Sequence, residues 1–592
     1  MKKLVLAILV TVLSAGSSGA QELSAADLDQ RRKALNDLLH EQWEYTLRLY
    51  PEFASILGDR RYNDQVSDPS EKAVNADLVQ TRKFLKRFEA IDTAGFSDQE
   101  KLNRNLMVRE LRDAIEAAKF KSWQMPVNQM SGIHLRAAQL PSALPFASVK
   151  DYEDYVVRLG KFGGVMDTQI ANMRKGMAAR LMPPKFLLEK VVGQAEGIMA
   201  SKGEDSPFAV PLKNFPDSIS ASEQERLRTA LLAAIEKNVV PAYARFTAFM
   251  RDEYAPKGRI DAGVWSLPDG RERYAYAVRN LTTTNRTPDE IHAIGLREVA
   301  RIESEMLEIA KKLGHSDLQS FNAAIEANPE LKAQSRQHMI DLYSKYIDQM
   351  YAKLPQLFGR LPKAKLEVLP VQEFREKEAS GASYETGSPD GSRPGRVYVN
   401  THEATSRKTL SFESTAYHEG VPGHHMQLSI QQELPELPPF RQQGGHTAFI
   451  EGWALYSERL GKEVGFYQDP YNDYGRLNDE MLRAIRLVVD TGLHHKRWTR
   501  EQVVQFFRDH SAIDEVEIQS ETDRYIVWPG QALAYKMGQL KILELRERAQ
   551  TELGPKFDIR GFHDEVLGAG ALPLQELEER IAAWVARQKA RA

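Results

Sequence analysis

Apolar residues recur at helical spacing along most of the chain. Between about residues 28 and 354, and again after His402, they return every three or four positions, with short breaks rich in proline and glycine. Four capping boxes, each a Ser or Thr followed three positions later by Glu or Gln, predict helix starts: Ser97–Glu100, Ser222–Glu225, Thr287–Glu290 and Thr499–Gln502. After Thr287, Pro288 suits a first helical position and Gly314 suits a helix end. The pattern predicts a mainly α-helical protein.

One region of the chain departs from this pattern. Leu366–Val371, Ala382–Glu385 and Arg396–Asn400 are short runs of β-prone residues, and turn-forming residues separate the last two runs. They predict one small antiparallel sheet at about residues 366–400. A sheet edge beside a cleft can bind an extended peptide through main-chain hydrogen bonds. Val397–Asn400 therefore has two interpretations, a peptide-binding edge or a purely structural hairpin.

The first twenty residues have the pattern of a secretory signal peptide. Lys2 and Lys3 precede an apolar run from Leu4 to Leu13, and small residues follow as far as Ala20. We expect cleavage after Ala20 and a periplasmic or secreted protein. The alternative is an N-terminal membrane anchor, but this run is much shorter than the ~20 apolar residues that span a bilayer. We expect no other membrane span.

The composition narrows the possible functions. The 592 residues are 42% hydrophobic and 27% charged, which is typical of a globular protein. The net charge of −3 gives no basic surface for nucleic acid, so we expect no nucleic-acid partner. The chain has no cysteine, which excludes disulfides, thiolate catalysis, cysteine ligands for zinc and a lipid anchor on cysteine. An exported protein without cysteine fits a bacterial periplasm.

Candidate metal ligands are concentrated in one part of the sequence. Eight of the 14 histidines lie between His402 and His510. Among them is the run Tyr-His-Glu-Gly-Val-Pro-Gly-His-His, residues 417–425, and Glu451 follows on a predicted helix. Zinc hydrolases need three N or O ligands, an open position for water and a carboxylate base. Two histidines, Glu451 and Glu419 could supply these groups.

The spacing of these histidines differs from the usual His-Glu-x-x-His motif, in which both ligands lie on one helical face. Here Pro422 occupies the position of the second His, and His424 and His425 follow later. On a regular helix His424 would face away from His418, whereas His425 would lie about 10.5 Å along the axis. Because Pro422 cannot make the helical hydrogen bond, a bulge there would bring His424 back beside His418.

A second interpretation is a proline-broken helix whose imidazoles only form hydrogen bonds in a polar core. Glu451, at a distance that a helical hairpin spans, favours the metal site. The assignment of the second His, as His424 or His425, stays open on the residues alone.

The two motifs together, His-Glu-x-x-Pro-Gly-His-His and Glu451-Gly-Trp-Ala-Leu-Tyr, resemble the bacterial family DUF885. Its members are similar to zinc metallopeptidases of the gluzincin type, such as helical oligopeptidases and carboxypeptidases. The resemblance implies His418, His424 and Glu451 as zinc ligands and Glu419 as the base. It also implies a two-lobed helical fold with a deep channel. We place the N-terminal lobe at residues 21–280 and the catalytic lobe, with the metal site at 418–451, at residues 281–592.

Peptide hydrolysis also needs a donor to the oxyanion and groups that hold the charged end of a substrate. Candidate donors are His494 and Tyr525. Candidate substrate-binding residues are Arg393, Arg486, Arg524, Tyr535 and Lys536. Arg486 and Asp490 could instead form only an i,i+4 salt bridge. Asp490 or Glu458 is a candidate to orient a ligand histidine.

The sequence therefore predicts an exported, zinc-dependent metallopeptidase that hydrolyses short peptides. Glu419 would take a proton from water and pass it to the leaving amine. Two alternatives are a zinc amidase or esterase acting on a small non-peptide substrate, and a metal-free periplasmic binding or scaffold protein.

Overall fold

Helices make up most of the structure, a computed structural model that describes residues 25–372, 376, 379–387 and 393–590. The first part of the chain forms α1 (Ala25–Leu49), α2 (Pro51–Ile56), α3 (Glu71–Glu89), α4 (Asp98–Ala117), α5 (Ile133–Ala143), α6 (Val149–Ala178), α7 (Lys185–Ala200), α8 (Ala221–Ala234), α9 (Val240–Phe249), α10 (Gly270–Thr282), α11 (Pro288–Lys312) and α12 (Leu318–Ala327). The second part forms α13 (Arg336–Tyr351), α14 (Leu354–Leu357), α15 (Phe412–Glu419), α16 (His424–Gln432), α17 (Pro439–Gln443), α18 (Thr447–Glu463), α19 (Pro470–His494), α20 (Arg500–His510), α21 (Glu515–Val527), α22 (Ala534–Leu553), α23 (Ile559–Leu567) and α24 (Leu574–Ala590). The prediction of a mainly α-helical fold is confirmed.

The predicted helix starts were largely correct. The capping boxes at Ser97, Thr287 and Thr499 are all present. The one predicted at Ser222 is wrong: the N-cap of α8 is Ser220, two residues earlier, and its side chain accepts the hydrogen bond from the backbone N–H of Glu223. Two serines two positions apart offer the same local signal, and the extended backbone of Ser220 decides which one caps the helix.

The three predicted strands form one mixed sheet. The strands are β1 (Leu366–Pro370), β2 (Ala382–Glu385) and β3 (Gly395–Val399), and their order is β1-β3-β2. Strand β3 pairs antiparallel with β2 but parallel with β1, so the prediction of a purely antiparallel sheet was wrong. Since the chain crosses over between β1 and β3, the direction of their pairing depends on its path and not on the strand sequences.

The central position of β3 also decides between the two interpretations of its sequence. Val397 and Val399 are fully buried, and both edges of the strand are already paired. A peptide could not add to the Val397–Asn400 segment, so that interpretation was wrong. Strand β2 is an outer strand of the sheet, and it packs against α15 and α16.

The buried apolar side chains do not divide at residue 280. The core around α15, α16 and α18 includes residues of α1, α3 and α4 from the N-terminal part of the chain. A second core lies among α5 to α9, and a third lies mainly along α11, α19 and α21. The division into two lobes at residue 280, and the channel between them, stay predictions.

The predicted signal peptide, residues 1–20, lies outside the residues that the structure describes. Within residues 25–590, none of the described helices combines the length and the apolar character needed to cross a membrane.

Helices α18 and α22 approach each other unusually closely at two glycines. A Cβ at Gly452 of α18 would overlap the backbone of Gly538 on α22, and a Cβ at Gly538 would overlap the carbonyl oxygen of Ala448. The two backbones therefore touch with no side chain between them. Glu451, the predicted third ligand, is the residue next to this contact.

We expect Gly538→Ala to force α18 and α22 apart, to destabilise the protein by about 1–3 kcal/mol and to weaken metal binding, because overpacking displaces the helix that carries Glu451. The matched control is Gly193→Ala on α7, where a Cβ meets no atom within 4 Å. That change should be neutral or stabilising by up to about 1 kcal/mol. Thermal unfolding and metal titration check both variants, and equal behaviour of the two would contradict the packing argument.

Candidate metal centre

The run of residues from His418 to His424 is divided between two helices. Helix α15 ends at Glu419, residues 420–423 form a loop with a cis Val421–Pro422 peptide bond, and α16 begins at His424. The predicted bulge within one helix is thus a complete break. A Cβ at Gly423 would overlap the carbonyl oxygen of His418, so the tight return of the chain requires glycine there.

The three predicted ligands lie together. The Nε2 atoms of His418 and His424 are 3.8 and 3.4 Å from Oε2 of Glu451, and one potential ligand atom from each residue lies within 4.8 Å of the others. Zinc bonds of about 2.0–2.2 Å in a tetrahedral arrangement separate neighbouring ligand atoms by roughly 3.4 Å. The residues present therefore fit a small divalent metal ion. Among the described residues, no other group of His, Asp and Glu was found in such an arrangement.

His425 lies outside this group. Consecutive residues of a helix point about 100° apart, so His425 faces away from His424. Its ring is fully buried, and its Nδ1 lies 3.0 Å from the hydroxyl of Tyr384 on β2. Burial lowers the pKa of His425 to about 4, so the ring is neutral at physiological pH. The geometry favours His424, not His425, as the second ligand.

A second carboxylate orients His418. Oε1 of Glu458 lies 2.7 Å from Nδ1 of His418, which leaves the Nε2 atom of this ring for a metal. Arg483 of α19 lies 3.6 Å from the same carboxylate oxygen. Asp490, the other predicted candidate for this role, instead accepts hydrogen bonds from Tyr274 and Gly530.

The ligands influence one another electrostatically. Burial alone would raise the pKa of Glu451, but hydrogen bonds from His418 and His424 outweigh it and hold this pKa well below its usual range. Burial alone would lower the pKa of His418, but the carboxylates of Glu451 and Glu458 raise it to about 9. In the absence of a metal ion, the ionised carboxylate of Glu451 therefore lies beside the protonated imidazole of His418.

Glu419, the predicted base, is the last residue of α15 and follows ligand His418 directly. Its side chain is half-buried, and no hydrogen bond or ion pair joins it to another described residue. It thus differs from Glu458, whose carboxylate is buried against His418 and Arg483.

Four of the other predicted residues form one cluster around Glu521. Arg486 donates to the Tyr525 hydroxyl and to Glu521, and its guanidinium stacks 4.6 Å above the ring of Tyr535. Arg524 lies 3.1 Å from Glu521 and donates to the Tyr535 hydroxyl. Arg486 is three residues after Arg483 on α19, so the cluster lies about one helical turn from the group that supports His418.

Within this cluster, the two phenols differ in what they can donate. The only O–H of the buried Tyr525 is used in its hydrogen bond to Glu521, and burial raises its pKa far above the ordinary value. The structure therefore does not favour Tyr525 as an oxyanion donor. Tyr535 is partly exposed and accepts hydrogen bonds from Arg524 and Gln531, which leaves its own O–H free.

Lys536 does not have the position that we predicted. Its ammonium group is fully buried and lies within 3.0 Å of Glu298, Glu480 and Gln539, so all three N–H donors have partners. The structure therefore does not favour Lys536 as a substrate-binding residue. Its neighbour in sequence, Tyr535, lies on a different face of α22, because adjacent residues of a helix point about 100° apart.

His494 is also structural. Its Nδ1 accepts the backbone N–H of Val264 and its Nε2 lies 3.0 Å from the carbonyl oxygen of Tyr525. Burial lowers its pKa to about 3, so it stays neutral. Both ring nitrogens contact main-chain groups, so the structure does not favour His494 as an oxyanion donor. Arg393 lies near the sheet, where it pairs with Glu385 at the end of β2.

Sequence reasoning missed two groups beside the centre. Trp453 is buried and donates from Nε1 to the carbonyl oxygen of Pro422 at 2.8 Å, so it holds the loop between the two histidines. Tyr384 of β2 contacts His425. Its only sequence signal was a position on a strand next to the motif.

The fold and the site together define a mainly helical protein with a candidate His/His/Glu metal centre. The sequence profile of the family described as "Bacterial protein of unknown function (DUF885)" matches residues 51–581, and the chain belongs to this family. The predicted resemblance is thus confirmed.

Solved structures extend the comparison. A protein from Colwellia psychrerythraea, described as a "putative lipoprotein", is 30% identical with a TM-score of 0.89, over 94% of this chain and 99% of its own. A protein of like description from Shewanella oneidensis is 18% identical with a TM-score of 0.69, over 94% and 100% of the chains. A carboxypeptidase from Pyrococcus furiosus aligns at 12% identity with a TM-score of 0.29, over 87% and 98% of the chains, which is too loose to support any conclusion. No curated protein matches significantly.

We expect His424→Ala to lose high-affinity metal binding and His425→Ala to retain it, because only the first side chain belongs to the ligand group. The adjacent positions make each variant a control for the other. Isothermal titration with zinc, together with metal analysis of untagged protein, measures both. A loss of metal in His425→Ala alone would show that the assignment of the second ligand is wrong.

Metal affinity should depend on pH. Zinc competes with the proton on His418, so lowering the pH below about 9 keeps the imidazole charged and weakens binding, by up to about tenfold per pH unit. Glu451 stays ionised over the same range and contributes no proton. Titrations between pH 6 and 8.5, in buffers of different ionisation enthalpy, give the affinity and the protons released. An affinity that stays constant over this range would contradict the linkage.

Proposed function

We propose that this protein is a zinc-dependent metallopeptidase that hydrolyses short peptides. The observation that carries the proposal is the arrangement of His418, His424 and Glu451, whose ligand atoms lie within 4.8 Å of one another. Glu419 follows the first ligand directly in sequence at the end of α15. Two imidazoles and a carboxylate are a ligand set of catalytic zinc sites, which keep one position open for water or substrate.

In this proposal, the chain's own residues divide the work. A bound zinc ion would supply a Lewis acid and lower the pKa of a water molecule. Glu419 would take the proton of that water and then give it to the leaving amine. His418, His424 and Glu451 would hold the ion, and Glu458 would keep the His418 ring in the required tautomer and orientation.

The free edge of β2 is the best candidate for binding the main chain of a peptide. This strand packs against both helices that carry the histidines, and its outer edge is not paired with another strand of the described sheet. Main-chain hydrogen bonds to an outer strand would hold an extended substrate beside the metal with little dependence on its sequence.

The cluster of Arg486, Arg524 and Tyr535 is a candidate to bind a charged end of the substrate. Nε of Arg524 is buried without a hydrogen-bond partner, and the hydroxyl proton of Tyr535 is free. Two guanidinium groups share Glu521, so a substrate carboxylate would add favourable charge-assisted hydrogen bonds. Arg393, at the end of β2, is a candidate for the same task beside the sheet.

The deep channel that the family resemblance implies is part of the proposal. A deep channel would admit short, unfolded peptides and exclude folded proteins.

We infer that the protein acts outside the cytoplasm. The signal-like N-terminal sequence and the description of two structural relatives as lipoproteins support a secreted or envelope location. This chain has no cysteine that could carry a lipid.

The proposal is tested by metal analysis and by digestion of a peptide library, read by mass spectrometry. Untagged protein should contain about one equivalent of zinc and should release fragments that show whether one residue, two residues or internal segments are cut. Zinc without peptide cleavage would favour an amidase or esterase, to be tested with small amide and ester substrates. A protein that binds no metal would favour the binding-protein alternative.

We expect Glu419→Gln to keep zinc bound but to reduce kcat by at least about a hundredfold, because only the proton acceptor is lost. Glu436→Gln, an identical change at an exposed position, is the control and should leave both zinc and kcat unchanged. Normal turnover by Glu419→Gln would rule out this residue as the base.

A further inference from the structure

We propose that His425 is a positioning residue: its bond to Tyr384 fixes strand β2 to the helix that carries the metal ligand His424. The proposal rests on the proposed function, because it assigns β2 the task of holding substrate. It gives the two adjacent histidines different roles, the first toward the metal and the second toward the sheet.

The contact itself is direct and buried. Nδ1 of His425 lies 3.0 Å from the hydroxyl of Tyr384, and the two rings meet edge to face with centroids 5.5 Å apart. The His425 ring is fully buried, so solvent does not compete for this hydrogen bond. The tautomer of His425 decides the direction of this bond: with the ring proton on Nε2, Nδ1 accepts the hydroxyl proton of Tyr384.

The neighbouring strand leaves room for this contact. A Cβ on Gly395, the first residue of β3, would lie 2.5 Å from the Tyr384 hydroxyl and 2.7 Å from Nδ1 of His425. Any larger residue there would push into the pair. Glycine at this position lets the central strand, the outer strand and α16 meet at one point.

The position of β2 gives the contact a functional consequence. Strand β2 is paired with β3 along one edge, and it also packs against α15 and α16. His425 is one residue from His424, so a fixed distance between His425 and Tyr384 also fixes the distance from the metal ligand to the strand. A shift of β2 by about 1 Å would misplace a bound peptide relative to the metal.

Three single variants and one double variant of the full-length, zinc-loaded protein test the proposal. His425→Leu and Tyr384→Phe each remove one partner of the hydrogen bond, and His425→Asn keeps an acceptor close to the position of Nδ1. We expect the first two to raise KM for peptides about tenfold, with a smaller effect on kcat and no loss of zinc. His425→Asn should stay within about threefold of wild type. The double variant His425→Leu/Tyr384→Phe should be no worse than either single variant.

Hydrogen exchange gives a readout that does not need activity. Amides of residues 382–385 should exchange faster in His425→Leu and Tyr384→Phe, but not in His425→Asn. If the wild type cleaves no peptide, the proposed function fails, and the exchange of β2 still tests the link. Unchanged KM and unchanged exchange in both disruptive variants would overturn the proposal. Loss of zinc in them would also overturn it, because His425 would then support the ligands and not the strand.

Discussion

The close approach of α18 to α22 is the contact on which the candidate metal centre depends. Gly452 and Gly538 let the two backbones touch, and Glu451 is held beside this contact, where its carboxylate reaches both imidazoles. The next residue, Trp453, holds the loop between the histidines. Two turns further along α18, Glu458 orients His418. One helix therefore supplies a ligand, fixes the spacing of the other two and sets the ring orientation of one of them.

Several buried charged groups among the described residues are paired with opposite charges. Burying an unpaired charge is costly, whereas a buried pair with complete hydrogen bonding is tolerated. Lys536 shows the principle in a structural setting, since its ammonium group is enclosed by Glu298, Glu480 and Gln539. The candidate metal centre shows it again, because Glu451 has two imidazoles as its partners. The side chain of Glu419 is half-buried and has no partner among the described residues, which is what the proposed proton acceptor requires.

Several side chains that lie near one another in sequence have separate tasks in space. His424 faces the ligand group and His425 faces the sheet. Tyr535 has a free hydroxyl in the arginine cluster, whereas Lys536 is enclosed on the other side of α22. In each case the difference follows from the 100° step between successive helical residues. A role inferred from sequence for two adjacent residues of a helix, such as ligand binding by His424 and His425, therefore fits only one of the two in these cases.

The sequence alone determined the helical class, the strand positions, most helix starts and two of the residues that converge at the candidate centre, His418 and Glu451. These features have local causes. Helices and strands follow from the spacing of apolar residues, helix starts follow from capping residues, and the break after His418 follows from Pro422, which cannot continue a helix. The parallel pairing of β1 with β3, the outer position of β2 and the separate environments of Lys536, His494 and Tyr525 were decided only by the tertiary structure. Those features depend on which distant segments of the chain pack together. The residues next to each of these positions in sequence do not determine that packing. The choice of His424 over His425 belongs to the same group, because it depends on where α18 and β2 lie relative to α16.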